Sequence, residues 1–147
     1  MAAGEGVPNN GVVLVGAEED ADGVCVLRAT LTRVLSVKAT PENGSAEKAS
    51  AGVSVLPPGF STPPHSHEAE EFAQILSGAG SIVVDGASYP VAVGDIPLTP
   101  SRSEHVTISG PHEPLVIWWF YAPAGSENRW LEQGALEELS GLQRASQ

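Results

Sequence analysis

Apolar residues in this chain come in short runs, and within them the spacing alternates far more often than it follows a helical turn. Residues 12–15, 24–28, 30–37, 51–56, 71–76, 81–84, 88–93, 96–99, 105–108 and 115–121 are each rich in Val, Ile, Leu, Thr or aromatic groups, with Gly, Pro, Asp, Asn or Ser between most of them. That is the pattern of short strands joined by tight turns. Asp85-Gly86, between Val84 and Ala87, predicts a two-residue hairpin, because a type I′ turn needs positive φ at both central positions. The run Trp118-Trp119-Phe120-Tyr121 puts large rings on both faces of one strand. Such a strand must be covered on both sides, as in a two-sheet sandwich or closed barrel.

The period changes at the two ends and in one loop. Residues 39–48 (ATPENGSAEK) carry too much Pro, Gly, Asn and Ser for a strand and read as a surface loop. Ser126 is placed to cap a helix, Glu127 falls in its first turn, and Trp130, Leu131, Leu136, Leu139 and Leu142 keep rough helical spacing. One short C-terminal helix over about 126–143 is therefore expected on the outside of the barrel. Residues 1–10 are small, polar and Gly-rich, so they read as a flexible arm ahead of one domain spanning 11–147. The expected fold class is all-β, with evenly spaced strands that favour a jelly-roll barrel over a solenoid.

Composition narrows the chemistry. At 147 residues and 41% hydrophobic content, the chain can build one continuous core. Cys25 is the only cysteine, which removes both an internal disulfide and a thiolate zinc cluster. Any metal must be held by nitrogen and oxygen. Seven basic against eighteen acidic residues give a formal charge of −11, unsuited to nucleic acid or anionic membrane partners. Neither a secretory signal nor a spanning run is recognisable, so a cytoplasmic location is expected.

Against that background one segment is informative. In His65-Ser66-His67 a period of two puts both imidazoles on one face of an extended chain, and Pro63-Pro64 stiffens the approach. Glu71 re-enters a strand four residues later, and His105 begins another after the turn at 100–104. Three neutral imidazoles and a carboxylate make a donor set for one divalent transition ion, whether Fe, Mn, Co, Ni, Cu or Zn, with one or two positions open. Alternation sends Glu70 to the opposite face from Glu71. His112, in a turn bounded by Pro and Gly, reads as solvated. Gln74 would reach the metal only through a bulge.

Taken together, Gly59-x5-His65-x-His67-x3-Glu71-x6-Gly78 and Gly94-x5-Pro100-x4-His105 resemble the two conserved motifs of the cupin superfamily. Arg102 stands where the second motif ordinarily has Gly, and Ser109 where it has Asn. The resemblance implies a double-stranded β-helix (jelly-roll) barrel with the metal-binding core at 51–122, the ion inside its mouth, and often a homodimer. It spans many activities, and a fold does not select among them. Two versions of a metal-dependent enzyme are expected on a small aromatic or polyketide-like substrate. In a dioxygenase, Glu71 doubles as ligand and proton acceptor. In a cyclase or isomerase, the ion acts only as a Lewis acid. A non-catalytic sugar or metabolite sensor is the alternative. Trp118, Phe120, Gln74 and Arg33 are the expected pocket residues, the rings as a wall for a planar substrate and Arg33 for an anionic group.

Overall fold

A computed structural model describes residues 26–29, 33–44 and 46–129. The expected arm at 1–10, the strand at 12–15 and the helix beyond Arg129 lie outside them. Among the described residues the chain forms nine strands: β1 (Val26–Ala29), β2 (Val34–Ala39), β3 (Ser50–Leu56), β4 (Glu70–Ser77), β5 (Ala79–Val84), β6 (Ala87–Ala92), β7 (Leu98–Thr99), β8 (His105–Ser109) and β9 (Leu115–Ala122). All pairings are antiparallel, in a six-stranded sheet ordered β1-β2-β3-β9-β4-β7 and a three-stranded sheet ordered β6-β5-β8. The fold is the all-β jelly roll expected of a cupin barrel.

Alternation decides what faces inward. Along β3 every second residue from Ser50 to Leu56 is buried, and along β9 the buried positions are Leu115, Ile117, Trp119 and Tyr121. Two clusters fill the interior. Leu56, Ala73, Ile75, Ile82, Val91, Leu115 and Ile117 bridge the two sheets, while Leu35, Val37, Ala69, Trp119 and Tyr121 pack together elsewhere in the barrel. Each Leu, Ile or Val among them gains on the order of 2 kcal/mol from leaving water.

The two long edges of the barrel differ. On one, residues 61–65 lie beside β8 through the bridges Ser61↔Ile108 and His65↔His105, and the Thr62 amide donates to the Thr107 carbonyl at 2.9 Å. On the other, β6 and β7 are the outer strands of different sheets and form no ladder. The β5–β6 connection is the predicted hairpin, with Asp85 at φ 47° and Gly86 at φ 84°. It also anchors the chain before β8, because the Asp85 amide donates to the Glu104 carbonyl at 2.8 Å and Asp85 Oδ1 accepts from the Glu104 amide at 3.0 Å. The predicted loop at 39–48 contains a 3-10 turn at Pro41–Asn43.

Candidate metal centre

His65, His67, Glu71 and His105 converge. One potential ligand atom from each lies within 4.8 Å of all the others. The backbone explains the meeting. His65 and His105 exchange amide-to-carbonyl hydrogen bonds, 3.2 Å from His65 N–H and 2.8 Å from His105 N–H. They form a hydrogen-bonded antiparallel pair, so their side chains stand on the same face, and their ring centroids are 4.1 Å apart. Glu71 is an inward position of β4, in step with buried Ala73 and Ile75.

Each imidazole is oriented from behind. The Nδ1 atoms of His65, His67 and His105 lie 2.8, 2.9 and 3.0 Å from the carbonyl oxygens of Pro63, Ala69 and Ser103. A carbonyl only accepts, so each Nδ1 carries the hydrogen and, in a neutral ring, Nε2 presents a lone pair. Yet Nε2 of both His67 and His105 sits 3.1 Å from the same carboxylate oxygen, Oε2 of Glu71. Lone pair would face lone pair unless a cation lies between them, whether a proton on the ring or a metal ion. The spacing suits an ion. Bonds of about 2.1 Å set neighbouring donors about 3.0 Å apart in an octahedral site and about 3.4 Å apart in a tetrahedral one. The donor set fits a divalent transition metal, and backbone carbonyls behind ligating imidazoles are the partners such sites use to fix the tautomer.

The electrostatics of the four side chains point the same way. Burial pushes His65 down to about 4, with the neighbouring His105 adding to the effect. Burial alone would push the Glu71 carboxyl up, but hydrogen bonds and charge from His105 and His67 outweigh it and hold the group at about 2. For His105 burial is likewise opposed, and the Glu71 carboxylate raises it above its ordinary value. Glu71 is thus anionic at neutral pH, and His65 is a neutral donor.

Arg33 is buried, 8% exposed. Burial pushes its guanidinium below the usual range, while Tyr121 and Glu71 oppose that shift, and its charge also acts on His65 and His105. The cation proposed for an anionic group therefore belongs to the site's surroundings. Two other expectations require correction. Trp118 and Phe120 do not line the interior: the inward parity of β9 belongs to Leu115, Ile117, Trp119 and Tyr121. Trp118 is 36% exposed and stacks on Phe120, with centroids 5.9 Å apart, and Phe72 meets Phe120 edge-on on the same outer face. Gln74 pairs in register with Trp118 and shares that outer face, since β4 has no bulge between Glu71 and Gln74 to turn it inward.

His112 is exposed and outside the cluster. The ring that sequence reading missed is Tyr121, whose centroid lies 4.8 Å from that of His67. Four consecutive aromatics give alternation but not its phase, and the phase could have been read from inward Leu115 and Ile117 only with the register in hand.

Arg102 occupies the left-handed region, φ 65°, which explains why Gly suits that motif position. Here its amide donates to the His67 carbonyl at 2.8 Å, and its side chain pairs with Glu68 through Nε at 3.0 Å and a terminal nitrogen at 2.9 Å. Ser109, the other departure, is buried, its hydroxyl 3.3 Å from the Glu113 carbonyl.

A family model described as "Cupin domain" matches residues 52–121. No curated protein matches. Among solved structures, the chain is similar to a cupin-2 domain protein from Rhodospirillum rubrum, with 22% identity, 74% of this chain and 67% of that one covered, and a TM-score of 0.56. It is similar to a predicted oxalate decarboxylase from Thermotoga maritima at 20% identity, 76% and 99% coverage and TM-score 0.63. The polyketide cyclase RemF from Streptomyces resistomycificus matches at 20% identity, 67% and 73% coverage and TM-score 0.59. At these identities the likeness concerns the fold.

Proposed function

We propose that this chain, whose residues 52–121 match the cupin family model, is a mononuclear metal cupin acting as an enzyme on a small aromatic or polyketide-like substrate. The observation that carries the reading is the pair of imidazole Nε2 atoms at 3.1 Å from one Glu71 oxygen, with every Nδ1 already committed to a carbonyl. His65, His67, Glu71 and His105 would hold the ion, and the ion would supply Lewis acidity toward a substrate oxygen, with redox chemistry added if it is iron, manganese or copper.

The chain's own groups do the rest. Glu71, anionic and inside the barrel, is the carboxylate through which a proton leaves or returns. Arg33 supplies a buried positive charge beside it, which favours a substrate whose reacting end is an oxyanion. Tyr121, against His67, excludes water from one side of the site.

Elemental analysis of protein purified without added metal or chelator, followed by aerobic and anaerobic assays with candidate aromatic substrates, tests the reading. One transition ion per chain with turnover of an aromatic or polyketide-like compound supports it. Zinc with full anaerobic turnover selects the cyclase or isomerase version. Dependence on oxygen with bound iron, manganese or copper selects the dioxygenase.

A further inference from the structure

The open edge of the barrel carries more than a gap. Between β6 on one sheet and the 95–99 segment on the other lies a cavity of about 560 Å³, walled by Ile82, Val84, Val91, Ile96, Leu98 and Thr99. That volume is within the range of roughly 300–1,000 Å³ typical of small-molecule sites. Tyr89, Ile96 and Leu98, which also line it, are 55%, 62% and 47% exposed, so apolar side chains are held at the water's edge around a concavity.

Strand register places this cavity against the metal ligands. Val84 is the direct partner of His105 in the β5–β8 ladder, and Thr99 is the direct partner of Glu71 in the β4–β7 ladder. Directly opposed residues share a face. Val84 and Thr99 therefore stand next to two of the four ligands and line the cavity as well. One bank is rigid, because the Pro97 and Asp95 carbonyls accept from the Ala73 and Ile75 amides at 3.0 and 3.1 Å, and the Gly94 amide donates to the Ile75 carbonyl at 3.0 Å.

The lining includes neither Lys nor Arg. Its one charged residue, Asp95, accepts from the Ala92 amide at 2.8 Å through Oδ2. A phosphate or sulfate would find no cation there, whereas an uncharged carbon frame would find apolar walls on both banks.

We infer that the β6–β7 seam binds the carbon frame of the substrate, which enters between the sheets and presents chelating oxygens to the ligand cluster past Val84 and Thr99. This rests on the metal-enzyme reading and adds a substrate class: an uncharged apolar body with a catechol-like or enol-like head. The aromatic wall assigned to Trp118 and Phe120 is replaced by the aliphatic seam.

The test uses Co(II)-loaded full-length protein, with catechol and 4-tert-butylcatechol titrated anaerobically and followed by the visible absorption of the cobalt. The bulkier catechol is expected to bind about tenfold tighter, from the extra carbons it buries. Ile96→Asp with Leu98→Asp alters two exposed wall positions outside the cluster of His65, His67, Glu71 and His105, so cobalt content is expected to stay at the wild-type level. The preference should then fall to about twofold or less, since the apolar rim is gone. Equal affinity for both catechols in the wild type, or a preference that survives the rim variant, overturns the seam. Failure to take up cobalt at all overturns the metal reading as well, so the two failures are separable.

Discussion

At the scale of single residues, the site is built from side chains that would be poorly placed without their neighbours. His65 is buried and held at about 4 against an ordinary 6.5. In the metal-free protein the unfolded chain therefore binds the proton more readily between those values, and stability must fall as pH drops from 6.5 toward 4. The shift sets an upper bound of about 3 kcal/mol on that loss. Glu71, depressed to about 2, adds stability that is present above its ordinary 4.5 and is lost as pH falls through 2. His105, raised, acts in the opposite sense and loses its contribution as pH rises through its folded value. Urea melts of metal-free protein at a series of pH values check this. His65→Gln should flatten the slope between 6.5 and 4, and an unchanged slope would contradict the assignment. The clustering of these residues was legible in the sequence, because the spacing of two from His65 to His67 and the re-entry at Glu71 translate directly into facing. Arg33 was legible only as a charge in an apolar stretch. Its burial depends on inward Leu35 and Val37, which share its parity along the chain.

At the scale of elements, strands and turns were largely readable because Gly, Pro and Asp-Gly punctuate them. Gly78 shows why one such position is restricted: its φ is 80°, and a Cβ there would run into the Pro114 carbonyl. The phase of β9 was not readable, since Val116, Trp118 and Phe120 are as apolar as the residues that face inward. β7 is also shorter than its apolar run, because residues 95–97 meet β4 through isolated carbonyl bonds rather than a ladder. Glu127, expected in the first turn of a helix, directly precedes the helical residues Asn128 and Arg129 and is fully buried, accepting from the Thr40 and Ser50 hydroxyls and the Gly125 amide, each at 2.7 Å. That carboxylate ties the segment after β9 to the ends of β2 and β3. Glu127→Ala would strand two buried hydroxyls and an amide, so a loss of about 2–4 kcal/mol is expected by urea denaturation. Glu127→Gln, which retains an acceptor oxygen, should lose less.

For the molecule as a whole, the barrel holds its core in two apolar clusters, and the account predicts that the barrel folds without the ion. Among the described residues no helix is long and apolar enough to cross a membrane. An ion that binds only the folded barrel should add about 4 kcal/mol when present at a thousandfold excess over its Kd. The most direct measurement compares the wild type with His65→Ala/His67→Ala by metal analysis and thermal melting, each with and without chelator. The wild type should carry one transition ion per chain and lose Tm when it is stripped, while the double variant should carry none and melt cooperatively whether or not chelator is present. A wild type that holds no ion, or a double variant that still holds one, would contradict the account.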